Sequence, residues 1–500
     1  MINFGTDGWR DVIADGFTFE NVRHVAQALC DYLNGEVQGP RSKVQGPKTI
    51  DQRPKLVVGY DTRFLSDRFA QEAALVAAAN NIEVFLTESF APTPAVSCAT
   101  VDFGADGAVL ITASHNPPQY NGFKFKAPYG GSATSAITRK IEECYNNNRK
   151  EQKKPKIITT EEAREKGLLH LFDPKEKYLS RLLNVLDRDS ISRYTGRKLR
   201  VVADPLYGAG QGYLRDALLE LGCEVEEVHG CVNPGFGGVN PEPIAENLGE
   251  LRDYVVQGNF DAGFALDGDA DRIGAVDASG AFVNSHQIFA LLLEHLINKR
   301  GWSGDVVKTV STTQMIDILA QKYGLKIFET PVGFKHICEH ILEKDILIGG
   351  EESGGIGVKN YIPERDGILI SLLLVEMMLA NGKNLGELLD ELTGRIGRFC
   401  YDRWDVEVDH NVKPAILEFL KGFNPRTLIG RNVSQINTQD GYKFYLENNG
   451  WLMIRPSGTE AVVRLYAEAE SPEKVTDLLQ TGRDILDSVE DQPGYCDRFR

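Results

Sequence analysis

The sequence predicts an α/β protein of three similar modules followed by a smaller α+β tail. Two observations carry that prediction. Short apolar runs of strand length alternate with helical patterns from Lys55 to about residue 398, the signature of parallel α/β units. Each module also ends one apolar run in a polar loop, the place where open α/β sheets keep their ligands. Length agrees, because 500 residues exceed what one hydrophobic core supports and suggest about three or four domains.

In the first module 55–60 predicts a strand, 66–80 a helix with Ser66 as its N-cap, and 82–87 a second strand. A further strand at 108–112 runs into Ala-Ser-His-Asn-Pro-Pro at 113–118, whose paired prolines forbid continuing either strand or helix. The second module repeats the pattern with strand 199–203, helix 212–221, strand 224–228 and the apolar run 262–266. In the third, strand 306–310, helix 314–323, strand 326–330 and the short run 346–348 lead into Gly349-Gly350-Glu351-Glu352-Ser353-Gly354-Gly355. From about Tyr401 the chain becomes strand-rich, with a helix at 413–423, a hairpin-like stretch at 443–454 and a last helix at 472–489. Segments 36–54 and 146–156, both polar and basic, read as surface insertions or linkers. The expected domains are 1–190, 191–300, 301–398 and 399–500.

A net charge of -16 argues against nucleic acid or an anionic membrane as the main partner. An anionic substrate would therefore need Arg and Lys concentrated locally. The cysteines at 30, 98, 144, 223, 231, 338, 400 and 496 form no CxxC pair and read as reduced thiols of a cytoplasmic protein. No basic region precedes an apolar stretch at the N-terminus, so no secretory signal is expected. The most apolar segment, 368–380, is interrupted by Glu376 and is too short to span a bilayer.

Asp267-Gly268-Asp269-Ala270-Asp271-Arg272 follows an apolar strand and sets three carboxylates on alternating positions, which repel one another unless a hard divalent cation neutralises them. A calcium EF-hand loop needs Gly at its sixth position and Glu at its twelfth; here those are Arg272 and Ala278, so that reading fails. A solvated acidic turn has the same composition. Ser114, beside His115 at a strand end, is a candidate nucleophile, but no GxSxG elbow surrounds it, so it would act as a carrier of a covalent group rather than as a hydrolase serine. Glu351 and Glu352 on a glycine-rich loop suit paired sugar hydroxyls. Arg455-Pro456-Ser457-Gly458-Thr459-Glu460 offers a guanidinium fork, hydroxyls and loop amides, the makings of a phosphate cradle.

These four loops occur in order, one per expected domain: TASHNPP at 112–118, DGDADR at 267–272, GEESGG at 350–355 and RPSGTE at 455–460. The set, together with FGTDGWR at 4–10 and YNGFK at 120–124, resembles the α-D-phosphohexomutase superfamily over essentially the whole chain. The resemblance implies a heart-shaped fold, with three similar α/β domains of mixed sheets and a smaller C-terminal α+β domain around a central cleft. It implies that Ser114 is a phosphoserine, and that Asp267, Asp269 and Asp271 bind Mg2+ together with Ser114. It places Lys124, a candidate acid or base, Arg272 and His115 near the transferring group. Arg10, Glu351, Ser353 and Lys335 would contact substrate, and Arg455, Ser457, Gly458 and Thr459 would hold the phosphate that is not reacting. The expected partners are phosphorylated hexoses and hexose bisphosphates, with no nucleic acid and no membrane, for a monomer or small homo-oligomer.

The Glu351-Glu352 pair resembles glucose-type phosphoglucomutases more than the glucosamine-type members, which usually read GEQSGH. Thr-Pro-Val-Gly-Phe-Lys-His at 330–336 supports that subgroup and offers either Lys335 or His336 to the substrate. The implied reaction interconverts glucose 1-phosphate and glucose 6-phosphate through a hexose 1,6-bisphosphate. Ala461 stands where the family commonly has proline, which removes a restraint on the phosphate loop. That departure keeps open a glucose-1,6-bisphosphate synthase using the same phosphoserine. Phosphomannomutase activity is a further alternative; a silent sugar-phosphate sensor would be expected to have lost Ser114 or one of the aspartates.

Overall fold

The computed structural model describes residues 2, 8–37, 53–192, 194, 196–409, 412–457 and 462–490. Most of segment 36–54, residues 4–7 of the N-terminal motif, and Gly458, Thr459, Glu460 and Ala461 of the phosphate loop lie outside the described residues. The chain divides into two compact units, Met1–Asp305 with Gly333–Leu388 and Val306–Val332 with Leu389–Arg500.

In the first unit the strands β1 (Trp9–Val12), β2 (Lys55–Tyr60), β3 (Glu83–Thr87), β4 (Gly107–Ile111), β5 (Tyr120–Lys126) and β6 (Leu169–Phe172) form a sheet in the order β1-β5-β4-β2-β3-β6. Strands β4, β2, β3 and β6 run parallel, whereas β5 and β1 are antiparallel to their neighbours. The reason lies in the connection. A parallel return takes about a dozen residues or more, and the loop between β4 and β5 is shorter than that, so the chain must come back antiparallel. Both faces of the sheet are covered. Leu56 and Val58 of β2 join the core beneath helices Phe19–Val37, Ser66–Ala79 and Ser135–Lys150, while Val57 between them packs with Val96 and Ala99 of helix Thr93–Asp102.

The next sheet of this unit holds β7 (Arg200–Asp204), β8 (Glu224–Glu227), β9 (Ala262–Leu266), β10 (Ile273–Asp277) and β11 (Phe282–Val283) in the order β11-β10-β9-β7-β8. Here too β9 is parallel to β7, and the chain returns antiparallel as β10 with Leu266 opposite Ile273. The third module supplies β12 (Asp305–Thr309), β13 (Ile327–Thr330), β14 (Ile346–Gly350) and β15 (Ile356–Val358). Within the first unit β14 pairs antiparallel with β15, Gly350 opposite Ile356. The loops that carry Ser114, the three aspartates and Glu351 are thus short hairpin connections, each at the carboxyl end of a buried strand.

In the second unit β16 (Cys400–Glu407), β17 (Thr427–Leu428), β18 (Arg431–Asn437), β19 (Tyr442–Leu446), β20 (Trp451–Pro456) and β21 (Val462–Ala469) form an antiparallel sheet in the order β16-β21-β20-β19-β18-β17. Leu452 and Ile454 face a core shared with helices Lys413–Gly422 and Pro472–Glu490. The alternate residues Trp451 and Met453 face the other way and pack with Tyr466 and with Val310, just beyond β12. Strands β12 and β13 are parallel to each other in this unit.

One expected linker, 146–156, is helical in its first part. Residues 146–150 form the last turn of helix Ser135–Lys150, which carries Ile141 and Tyr145 into the core at helical spacing. Its basic end, Arg149 and Lys150, complements the helix dipole, and Asn148 donates to Asp31 Oδ2 at 2.7 Å. Polarity at the helix end reflects exposure rather than loop. The apolar segment 368–380 lies in helix Gly367–Asn381, buried, with Glu376 paired to His295 at 2.7 Å and Arg300 at 3.0 Å. Among the described residues no single helix is long and apolar enough to cross a membrane.

Candidate active site

Strand β4 ends at Ile111, and the loop beyond it places Ser114 in the left-handed backbone region, with φ 53° and no solvent exposure. Ser114 Oγ donates to Asp267 Oδ2 at 2.6 Å, and its backbone N–H is held by Thr112 Oγ1 at 2.9 Å. Asp267, Asp269 and Asp271 are all buried, with ligand oxygens within 4.8 Å of one another. The loop folds on itself: Asp267 Oδ1 accepts from the backbone N–H of Asp271 at 3.0 Å and of Arg272 at 3.1 Å. Gly268 permits the two loops to meet. A Cβ there would lie 2.4 Å from Ser114 O, so any side chain would drive them apart.

Cations surround the cluster. Lys124 on β5 reaches Asp269 Oδ2 at 2.8 Å and Asp271 Oδ2 at 3.4 Å, and Arg365 Nε lies 2.8 Å from Asp271 Oδ2. Arg272 Nε stands 3.9 Å from both Asp267 and Asp271. Burial, with Asp271 and Asp269 beside it, pushes the Asp267 carboxyl well above the usual carboxylate range. Burial alone would raise Asp269 as well, but the charge and hydrogen bond of Lys124 and the Thr93 hydroxyl, 2.5 Å away, hold it well below that range. Asp269 Oδ1 and Asp271 Oδ1 are buried without a hydrogen-bond partner among the described residues. Buried carboxylate oxygens left in this way fit a hard cation, which would take the partnerless atoms as ligands.

The glycine-rich loop joins the same site. Glu351 accepts from Arg365 Nη1 at 2.9 Å, so one guanidinium bridges the triple-aspartate loop and the Glu351 loop. Burial raises the Glu351 carboxyl to about 6, with Arg365 opposing the shift. Gly354 O accepts from the N–H of Ile273 at 3.2 Å, which ties the loop to the start of β10. Ser353 Oγ is shielded from solvent and has no partner among the described residues. Arg10 on β1 donates to Asn116 Oδ1 at 2.7 Å, and His115 lies half-buried beside Ser114. Lys335 and His336 stand half-exposed on helix Phe334–Glu343.

In the second unit Arg455 Nε donates to Asp440 Oδ2 at 3.0 Å, an oxygen that also accepts from the N–H of Val332 at 2.9 Å. Ser457 is buried, its N–H on Val462 O at 2.9 Å. Gly458 and Thr459 lie outside the described residues.

Three site residues were not predicted: Arg63, Thr93 and Arg365. Arg63 had a legible signal, since Asp61-Thr62-Arg63 directly follows β2 as the other polar loops follow their strands. Arg365 belongs to the charged run Glu364-Arg365-Asp366 before a mostly apolar helix, which reads as a solvated turn until its burial is seen. Thr93 carried no signal.

Four family descriptions match in chain order. They are phosphoglucomutase/phosphomannomutase alpha/beta/alpha domain I over residues 1–152, domain II over 176–280, domain III over 284–396 and the C-terminal domain over 407–484. The chain belongs to the phosphoglucomutase/phosphomannomutase family. A family relative from Thermococcus kodakarensis, named phosphoglucomutase/phosphomannomutase, is 33% identical over 489 residues, covering 97% of this chain and 98% of the relative. A Komagataeibacter xylinus phosphoglucomutase is 30% identical, covering 94% of this chain and 87% of its own. Other relatives carry phosphoglucosamine mutase names. Among solved structures, one from Thermus thermophilus under a phosphomannomutase name superposes with TM-score 0.82 at 35% identity, over 97% of this chain and 99% of that one. An Aspergillus fumigatus N-acetylphosphoglucosamine mutase, solved with GlcNAc-6P and magnesium, shares the fold at TM-score 0.58 and 17% identity over 98% and 96% of the two chains. As a member of the phosphohexomutase family, the chain is an enzyme of the intramolecular phosphotransferase class.

Proposed function

We propose that the protein is a phosphoglucomutase, with Ser114 as its phosphoryl carrier and Mg2+ as its metal. The observation that carries this reading is the 2.6 Å bond from Ser114 Oγ to Asp267 within a buried cluster of three carboxylates. A neutral structural serine needs no such surroundings. Asp267, Asp269 and Asp271, with the phosphorylated Ser114, would hold Mg2+, which supplies positive charge against the phosphoryl oxygens.

This chain's own residues supply the rest. Phosphoryl transfer demands alignment and charge neutralisation more than a strong base. Lys124 and Arg272, both at the cluster, offer cations to the transferring group, and Lys124 is the candidate proton donor or acceptor. Phospho-Ser114 gives its phosphoryl group to a hexose monophosphate; the bisphosphate formed returns its other phosphate to Ser114. In each half-reaction one P–O bond breaks as another forms, and the hydroxyl proton ends on the oxygen that phosphorus leaves. Glu351 and Ser353 would accept from and donate to sugar hydroxyls, and Arg455, Ser457, Gly458 and Thr459 would hold the distal phosphate. The Glu351-Glu352 pair and the Komagataeibacter relative support glucose as the sugar.

One experiment tests carrier and reaction together. Incubation with glucose 1,6-bisphosphate and Mg2+ should add a phosphate-sized mass to the wild-type chain and none to Ser114→Ala; an unmodified wild type would refute the mechanism. Phosphorus NMR then follows glucose 1-phosphate with a trace of that bisphosphate or with excess fructose 1,6-bisphosphate. Rapid glucose 6-phosphate is the expected result, whereas accumulating bisphosphate would identify the synthase that Ala461 keeps open.

A further inference from the structure

Arg63 lies outside every sequence motif that marked the site, yet its side chain is fully buried directly beneath Ser114. Its Nη2 donates to Ser114 O and Asn116 O, both at 2.6 Å. Its Nη1 donates to Pro117 O at 2.8 Å and Tyr120 O at 3.1 Å. Nε completes the set on Asp61 Oδ2 at 3.1 Å. A guanidinium has five N–H donors, and each has its own acceptor here. Three of those acceptors are carbonyls of the Ser114 loop, and the fourth is that of Tyr120, where the loop enters β5.

The guanidinium is itself fixed. Asp61 Oδ1 accepts from Ser66 Oγ at 2.8 Å and from the N–H of Arg63 at 2.9 Å, and the Phe236 ring centroid lies 4.9 Å from the guanidinium carbon. Removing Arg63 would leave the amide side of the loop in place, since Ser114 N still has Thr112 Oγ1 and Asn116 N still has Ala113 O. The carbonyl side would be released. Ser114 sits at φ 53°, a backbone region that a residue with a side chain holds only when its surroundings fix it. Ser114 O is also the atom against which Gly268 of the metal loop packs. A rotation of that peptide would carry Oγ away from Asp267.

We infer that Arg63 is the positioning residue of the phosphoryl step: its grip on three loop carbonyls and on that of Tyr120 keeps Ser114 in the left-handed conformation that aims Oγ into the aspartate cluster. The role rests on the reading of Ser114 as carrier. In the step concerned, phosphorus leaves an oxygen of the sugar bisphosphate for Ser114 Oγ, and the serine proton ends on the sugar oxygen left behind. Lysine cannot replace the residue, because three donors on one nitrogen cannot span four carbonyls and a carboxylate. Arg63→Lys should therefore slow single-turnover phosphate uptake and kcat by about 10²-fold, the cost of a displacement of about 1 Å at a reacting atom, with KM for the sugar phosphate within about twofold.

Stopped mass measurements of phosphate uptake, beside steady-state kinetics, read these quantities. Guanidinium ion added to Arg63→Ala should recover part of the lost rate. Val58→Ala, a cavity in the buried middle of β2, controls for general destabilisation and should lower the melting temperature without slowing uptake. Uptake by R63K at the wild-type rate overturns the inference, as does equal slowing in V58A at an equal loss of melting temperature. Should R63K not accumulate folded, Asp61→Asn, which frees the guanidinium from its carboxylate, is read in the same way, and a wild-type rate in D61N overturns the inference. A wild-type chain that takes up no phosphate refutes the carrier reading and this role with it; a phosphorylated wild type beside an unimpaired R63K refutes this role alone.

Discussion

Arg365 is 3% exposed and holds two carboxylates from different loops, Asp271 at 2.8 Å and Glu351 at 2.9 Å. Taking one partner from a buried pair leaves a charge without compensation, which typically costs about 3 to 5 kcal/mol. Arg365→Met should lower the urea midpoint by a corresponding amount, and Glu351→Gln added to it should restore part of the loss. Additive losses in the double variant would show that the two side chains do not couple. Ser114 and the three aspartates stood out in the sequence by residue type and spacing, and Lys124 by the family resemblance; the structure brings the five together. Arg365 was not, because an arginine in a charged run looks the same whether it faces water or a neighbouring loop.

At the level of elements, residues just past parallel strands carry electrostatics as well as chemistry. His229 follows β8, and its Nδ1 lies 3.0 Å from Asp204 Oδ1 at the end of β7. The bond to Asp204, with Glu250 on the far side and burial opposing, raises the imidazole from 6.5 to about 9. A folded pKa above the unfolded one means stability that is whole below pH 6.5 and is lost as pH rises through about 9. Denaturant titrations should show that decline in the wild type and a flatter profile in His229→Gln; parallel profiles would exclude the dyad as its source. Strands such as 55–60 and 262–266 were predicted at their observed bounds because buried parallel strands are uniformly apolar. The last turn of helix Ser135–Lys150 read as part of a linker, since it is polar where it faces solvent. The direction of β5, β10 and β15 was not legible from periodicity, which is blind to strand polarity; it followed from connection length.

The whole molecule is discontinuous in sequence. Val306–Val332 sits inside the chain of the first unit but packs with the C-terminal sheet, where Val310 meets Trp451, Met453 and Tyr466. A chain ending at residue 388 should therefore lose amide protection across β12 and β13 and bind an apolar dye, although both strands are still encoded. Full protection there would show that the segment holds without the tail. The hairpin form of the three site loops bears on how this architecture can vary. Loops 112–119, 267–272 and 351–355 are each bounded by two paired strands, so one inserted residue would move every side chain of a flanking strand to the opposite face unless a bulge absorbed it. Loop length at the candidate site is thus tied to strand register, so a new sugar would be met by exchanging side chains rather than by lengthening loops.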